Sequence, residues 1–282
     1  MRRLLRSALF VPASNPRAIE KAAHLGADML VLDLEDAVGP DEKSEARARV
    51  IDALTRWEIS GSIRVVRVNA LNGEWGAADI RAAARADAII LPKVEHVGEL
   101  HDARSALSSQ GSSIATWAMI ETPLGVLHAD QIAAATGTGL SGLLAGVNDL
   151  SKELHCSVDA QRMALIPHLA RIVCAARANG LYVLDGVYNA YRDAIGFQLE
   201  AEQGRNLGFD GKSLIHPNQI AQTHTSFSPP TSELERAARI VAAFADPKNA
   251  GKGVIALDGD MVERLHLEAA RKTLAAAGGN DA

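Results

Sequence analysis

Glu121 and Asp149 carry the strongest chemical signal in the chain. Glu121 ends an apolar run at 114–121, Asp149 follows another at 140–147, and the two acids lie about one strand–helix unit apart. Acids on successive strand ends at that spacing sit side by side. Two carboxylates with water completing the shell is the usual way to hold Mg²⁺, which keeps part of its hydration for a substrate. No His lies beside either acid at the same strand end, which disfavours zinc. The plainer alternative is that Glu121 caps the following helix and Asp149 caps the turn into residues 150–154.

Arg67 sits inside the run 63–69. An arginine in a buried strand needs an anionic partner, and Glu35 and Asp36, at the end of the run 29–35, are the candidates for a structural ion pair. The functional alternative is a guanidinium fork for a carboxylate or an enolate oxygen. The two are compatible, because the acids would orient the fork. Other run ends carry Asp33, Asn69, Lys93, Thr122, Asn148, Asp185 and His216. So many acids at one mouth cannot all stay ionised without a compensating cation. Lys93 has the residue type of a Schiff-base lysine on a strand, but beside a metal pair it reads as a counter-charge to the acids. His216 reads as a hydrogen-bonded strand-end residue. Residues 137–146 are glycine-rich yet lack the lysine of a phosphate loop.

The elements that must position these residues are eight apolar runs, at 7–12, 29–35, 63–69, 88–93, 114–121, 140–147, 182–187 and 213–216. Helical periodicity fills the gaps, at 15–25, 42–57, 97–107, 123–135, 159–179 and 193–207. Several runs are apolar at nearly every position, as a parallel strand covered on both faces requires. Eight such units predict an α/β fold, a (β/α)8 TIM barrel over residues 1–225, whose site lies at the C-terminal strand ends. The alternative, a doubly wound open sheet, would carry a glycine-rich turn after its first strand, and residues 11–15 contain none. A break at 226–230 introduces a C-terminal helical extension over 226–282. It reads as a helix at 232–244, a turn at 246–253, a short apolar piece at 254–257 and a last helix at 261–277. These helices have no evident core of their own, so they are expected to pack on the barrel or on a neighbouring subunit.

Composition narrows the function classes. The 282 residues carry a net charge of −5 and only 4% aromatics, which gives no footprint for nucleic-acid binding. Two cysteines make neither a disulfide framework nor a cysteine zinc site. No apolar stretch reaches membrane-spanning length, and a cytoplasmic location with no membrane partner is expected.

The motifs Ser7-Ala8-Leu9-Phe10-Val11-Pro12, Leu32-Asp33-Leu34-Glu35-Asp36-Ala37-Val38, Leu91-Pro92-Lys93, Ile120-Glu121-Thr122-Pro123, Asn148-Asp149-Leu150 and Gly211-Lys212-Ser213-Leu214-Ile215-His216-Pro217 come in a diagnostic order. Together with residues 64–69, that order resembles the citrate lyase β-subunit-like proteins of the HpcH/HpaI aldolase superfamily, which include malyl-CoA, methylmalyl-CoA and citramalyl-CoA lyases. The resemblance covers nearly the whole chain. It implies a Mg²⁺-dependent barrel, with Mn²⁺ as a substitute, that assembles as a homotrimer or hexamer. Its implied chemistry is cleavage or formation of a carbon–carbon bond next to a CoA thioester, with a small keto acid as the other partner. On that resemblance Glu121 and Asp149 are the metal ligands, Arg67 polarises the thioester carbonyl, and Glu35 and Asp36 support the mouth.

The family often lends an acidic residue of its C-terminal segment to a neighbouring subunit. Here that position is Glu263, where the family usually has Asp. Ala13 stands where the family often has Gly. Arg6, Arg17 and Lys21, near the first strand, are the candidates for the CoA phosphates. Three other readings stay open: an aldolase for free 2-keto acids, a citrate lyase subunit acting on an acyl-carrier-protein thioester, and a non-catalytic thioester-binding paralogue. The free-acid aldolases carry a His directly after the second-strand acid, where this chain has Asp36 and Ala37.

Overall fold

The computed structural model describes residues 3–57 and 61–278. Its eight apolar runs form β1 (Ser7–Pro12), β2 (Met29–Asp33), β3 (Ile63–Arg67), β4 (Ala88–Leu91), β5 (Ala115–Ile120), β6 (Leu140–Ala145), β7 (Tyr182–Asp185) and β8 (Gly211–Leu214). They close into a parallel barrel in chain order, with β8 returning to β1. The helices between them are α1 (Pro16–Ala22), α2 (Lys43–Arg56), α3 (Gly76–Ala82), α4 (Val97–Ser108), α5 (Pro123–Leu127), α6 (Ala129–Ala133), α7 (Val147–Glu153), α8 (Ile166–Ala178) and α9 (Ala194–Leu207); α10 (Ile220–Phe227) follows β8. The expected helix at 123–135 breaks at His128, and the one at 159–179 starts only at Ile166. Most strands end one or two residues before their apolar runs do, which frees the polar run ends to line the mouth.

Two apolar layers hold this unit. One fills the barrel and includes Met29, Val31, Ile90, Trp117, Met119 and Leu184. The other lies between strands and helices and includes Leu30, Leu32, Val66, Ile89, Leu169 and Phe197. Strands β1 to β7 alternate between them, the period of two expected of a pleated strand. Gly142 is required by this packing, since a Cβ there would overlap the Trp117 ring.

Contacts divide the chain into two compact units, Leu5–Phe227 and a second built mainly from the residues after it. The second unit holds α11 (Thr231–Ala245), β9 (Val254–Leu257), β10 (Asp260–Glu263) and α12 (Arg264–Gly278). β9 and β10 pair antiparallel across Asp258-Gly259, both left-handed at φ of 55° and 87°. That is the two-residue Asp-Gly hairpin turn, and it corrects the expectation of a single helix over 261–277. The hairpin also supplies a layer that the two helices lack. Ala237, Ile240, Ile255, Val262, Leu267 and Ala270 bury one another, so the tail does have a core of its own. Among the described residues, no helix is long and apolar enough to cross a membrane.

Candidate active site

The C-terminal mouth of the barrel opens into a cavity of about 410 Å³ lined by Phe10, Asp33, Arg67, Met119, Glu121 and Asp149, among others. Arg67 and Asp33 are aligned in the β2–β3 register, so they point to the same side. The Arg67 Nε donates to Asp33 Oδ1 at 2.7 Å and its Nη2 to Oδ2 at 2.6 Å. Its Nη1 lies 2.9 Å from Glu35 Oε2, and its guanidinium sits 5.1 Å from the Phe10 ring centre. Burial opposes the Arg67 charge, but the Asp33 bonds and the acids around it outweigh burial and raise its pKa. The sequence put Glu35 or Asp36 opposite Arg67. Glu35 is confirmed as a partner, Asp33 is the two-point one, and Asp36 is not one. Asp36 lines the cavity with its side chain 60% exposed, 3.6 Å from Lys93 Nζ.

Lys93 joins this cluster to Glu121. Its Nζ donates to Glu35 Oε1 at 2.6 Å, and its backbone N–H donates to Glu121 Oε1 at 2.8 Å. Burial, with the neighbouring Asp36 charge, raises the Glu35 pKa beyond what Arg67 and Lys93 take back. Lys93 is itself held charged, its burial outweighed by Glu35. The expectation of Lys93 as a counter-charge to the acids agrees with this geometry.

Glu121 follows β5, is 1% exposed, and no hydrogen bond among the described residues engages its Oε2. Burial, reinforced by the nearby Glu35 charge, pushes its carboxyl up to about 8. Its approach depends on Gly146, where a Cβ would overlap the Glu121 side chain. The helix-capping alternative fails for both acids. Thr122 caps α5 through Gly125 N–H at 3.0 Å, and the cap of α7 is Gly146, with no side-chain hydrogen bond. Asp149 occupies the first turn of α7, half-buried, and no hydrogen bond or ion pair among the described residues engages its carboxylate.

A carboxyl raised in the folded state costs stability once it must ionise. The folded protein then binds more protons than the unfolded chain between the ordinary carboxyl value and about 8, so stability falls with rising pH across that window. At ~1.4 kcal/mol per unit the loss reaches a few kcal/mol. Glu121→Gln should therefore match the native protein near pH ~4 and exceed it near pH ~9, by urea unfolding in a chelator. Parallel stability profiles for the two proteins would show that Glu121 is not desolvated.

The chemistry of the donor set suits a hard, partly hydrated cation. Two oxygen donors line one cavity, and one is a buried carboxylate with an unengaged oxygen. Among the described residues no group of three or more His, Cys, Asp or Glu side chains gathers for a metal. A cation here would complete its shell with water and substrate, which suits Mg²⁺ better than zinc.

The remaining predicted residues divide. Arg17 and Lys21 line a second cavity of about 480 Å³ that shares Phe10, Pro12 and Ile215 with the mouth. Arg6 is a correction. It precedes β1 and forks onto Asp28, ahead of β2, at 2.9 and 3.0 Å, which places it at the opposite end of the barrel. Asp185 is a second correction. Leu184 points inward, so Asp185 points outward and is fully buried between Lys212, at 3.0 Å, and Arg162, at 2.8 Å. His216 bonds Asn218 at 2.7 Å and stacks on Tyr191, the strand-end role expected of it. Glu263 ends β10 in the second unit, where its N–H donates to His266 Nδ1 at 2.9 Å. Sequence reasoning missed the part played by Asp33, and the register of two neighbouring strands was the signal for it.

A family model described as HpcH/HpaI aldolase/citrate lyase matches residues 6–217. A (3S)-malyl-CoA thioesterase of Cereibacter sphaeroides is 45% identical over 274 residues, covering 96% of this chain and 94% of that protein. Citrate lyase subunit beta of Escherichia coli is 36% identical over 284 residues, covering 98% and 94%. Among solved structures, CitE from Mycobacterium tuberculosis in complex with magnesium, acetoacetate and coenzyme A matches with a TM-score of 0.80 at 30% identity, covering 99% of this chain and all of that one.

Proposed function

The chain belongs to the HpcH/HpaI aldolase/citrate lyase family, and from that premise we propose that it is a Mg²⁺-dependent carbon–carbon lyase acting on a 3-hydroxyacyl-CoA of the malyl or citramalyl type. One observation carries this reading. Arg67, already held at two points by Asp33, meets Glu121 in a single cavity. A fixed cation beside a metal-competent carboxylate is what an enolate-forming thioester site needs.

Glu121 and Asp149 would hold the ion, which when bound supplies Lewis-acid polarisation of the keto-acid fragment. Arg67 receives the thioester oxygen and stabilises the negative charge that it gains as the carbon–carbon bond breaks. Asp33 holds that guanidinium in its plane, so little reorganisation accompanies the charge. Glu35 balances Arg67 and Lys93. Asp36, exposed at the rim, is placed to shape substrate entry. Arg17 and Lys21 would meet the CoA phosphates from the adjoining cavity. As the carbon–carbon bond breaks the 3-hydroxyl gives up its proton to water and the enolate carbon gains one, for which Glu263 of a neighbouring copy is the proposed donor. Val254, Met261 and Leu265, exposed near it, supply apolar surface for a homotrimer or hexamer.

A second reading is hydrolysis of the same thioester, favoured by the 45% identity to the malyl-CoA thioesterase. It uses the same Arg67 and Mg²⁺ but breaks the carbon–sulfur bond. Incubation of (3S)-malyl-CoA with the protein and Mg²⁺ separates the two. The lyase gives acetyl-CoA and glyoxylate, and the thioesterase gives malate and free CoA. Turnover of neither malyl-CoA nor citramalyl-CoA would overturn both readings.

A further inference from the structure

We propose that Lys93 is the positioning residue that couples the two halves of this site, through two separate groups with two separate tasks. The inference rests on the functional reading above and goes beyond it by assigning Lys93 a role. Its backbone is left-handed at φ 49°, a conformation that a lysine adopts at a cost. That turn aims its N–H at Glu121 Oε1, 2.8 Å away, and leaves Oε2 for the cavity. The same turn sends the side chain to Glu35, where Nζ meets Oε1 at 2.6 Å. Glu35 then has one cation on each oxygen, Lys93 on Oε1 and Arg67 on Oε2 at 2.9 Å. The next residue continues the anchorage, because Val94 N–H donates to Met119 O at 3.1 Å and ties the turn to β5, the strand before Glu121.

The two tasks separate by substitution. Lys93→Gly accepts the left-handed backbone and keeps the N–H, but removes the ammonium. Its Mg²⁺ affinity, by calorimetry, should equal the native value or exceed it. Its kcat should fall about 100-fold with the thioester KM within threefold, because Glu35 and Arg67 lose their fixed pairing. Added methylammonium should restore at least a tenth of the lost rate, and Lys93→Arg should retain more activity than Lys93→Gly. A general loss of structure would show none of this rescue. A kcat within threefold of native in Lys93→Gly would overturn the proposal, and so would a rise in KM at constant kcat, which would make Lys93 a substrate-binding group. More than a tenfold loss of Mg²⁺ affinity would overturn it too. If the native protein turns over no thioester, the functional reading fails by itself. The Lys93 proposal is then decided by Mg²⁺ affinity and by a crystal structure of Lys93→Gly. It predicts the Glu35 carboxylate displaced from Arg67, and an unmoved 2.9 Å contact would refute it.

Discussion

Arg67→Lys lowers kcat about 10³-fold while Mg²⁺ still binds. The native guanidinium spends two N–H groups on Asp33 and one on Glu35, so its orientation is set before substrate arrives. Removing one preorganised donor to a developing oxyanion costs ~10²–10³ in rate. A lysine ammonium is a point charge and cannot keep a two-point bond to Asp33 while it faces the cavity. The loss should therefore fall on kcat rather than KM, because the enolate charge exists only in the transition state. Steady-state kinetics beside a calorimetric Mg²⁺ titration reads both quantities. A variant with native kcat/KM would make Arg67 no more than the counter-ion of Asp33.

Asp149→Ala abolishes turnover and weakens Mg²⁺ binding by more than about 100-fold, a larger change than the loss of an outer-sphere partner brings. The fold should hardly notice. Asp149 is half-buried in the first turn of α7 and no hydrogen bond among the described residues engages its carboxylate, so its loss falls among near-neutral surface changes of ~0.5 kcal/mol. An unchanged melting temperature together with lost metal binding separates a ligand from a structural residue. Asp149→Ala also tests the proposed sharing of Glu263 between copies. Mixed with an inactive Glu263→Gln protein under conditions that exchange subunits, it should recover part of the activity, because some sites then combine an intact Asp149 with an intact Glu263. Absence of recovery despite proven exchange would remove Glu263 from the neighbour's site.

The barrel was legible because its strands are apolar at almost every position and are separated by helical stretches of regular length. That same uniformity hid the phase of the strands. In β7, Leu184 and Asp185 differ by one position, and only the closed barrel shows that the acid faces the helices and the leucine faces the barrel interior. Asp33 lay hidden for a related reason. Its task depends on its register with Arg67, a relation between strands that spacing along one strand does not carry. Arg6 was misplaced because closeness to a strand in sequence does not say which end of the strand is meant. The Asp258-Gly259 turn, by contrast, was a readable signal that an expected long helix obscured. The left-handed backbone of Lys93 leaves no trace in residue type, since Gly is the residue that would advertise it.

In the proposed site, one mouth cavity places a divalent ion on Glu121 and Asp149 and a thioester oxygen on Arg67. Crystals grown with Mn²⁺ in place of Mg²⁺, in the presence of acetyl-CoA, test it directly by anomalous scattering. The expected result is one anomalous peak coordinated by the carboxylates of both Glu121 and Asp149, with the thioester oxygen within hydrogen-bond distance of the Arg67 guanidinium. A peak on other ligands, or a thioester seated away from Arg67, would contradict it.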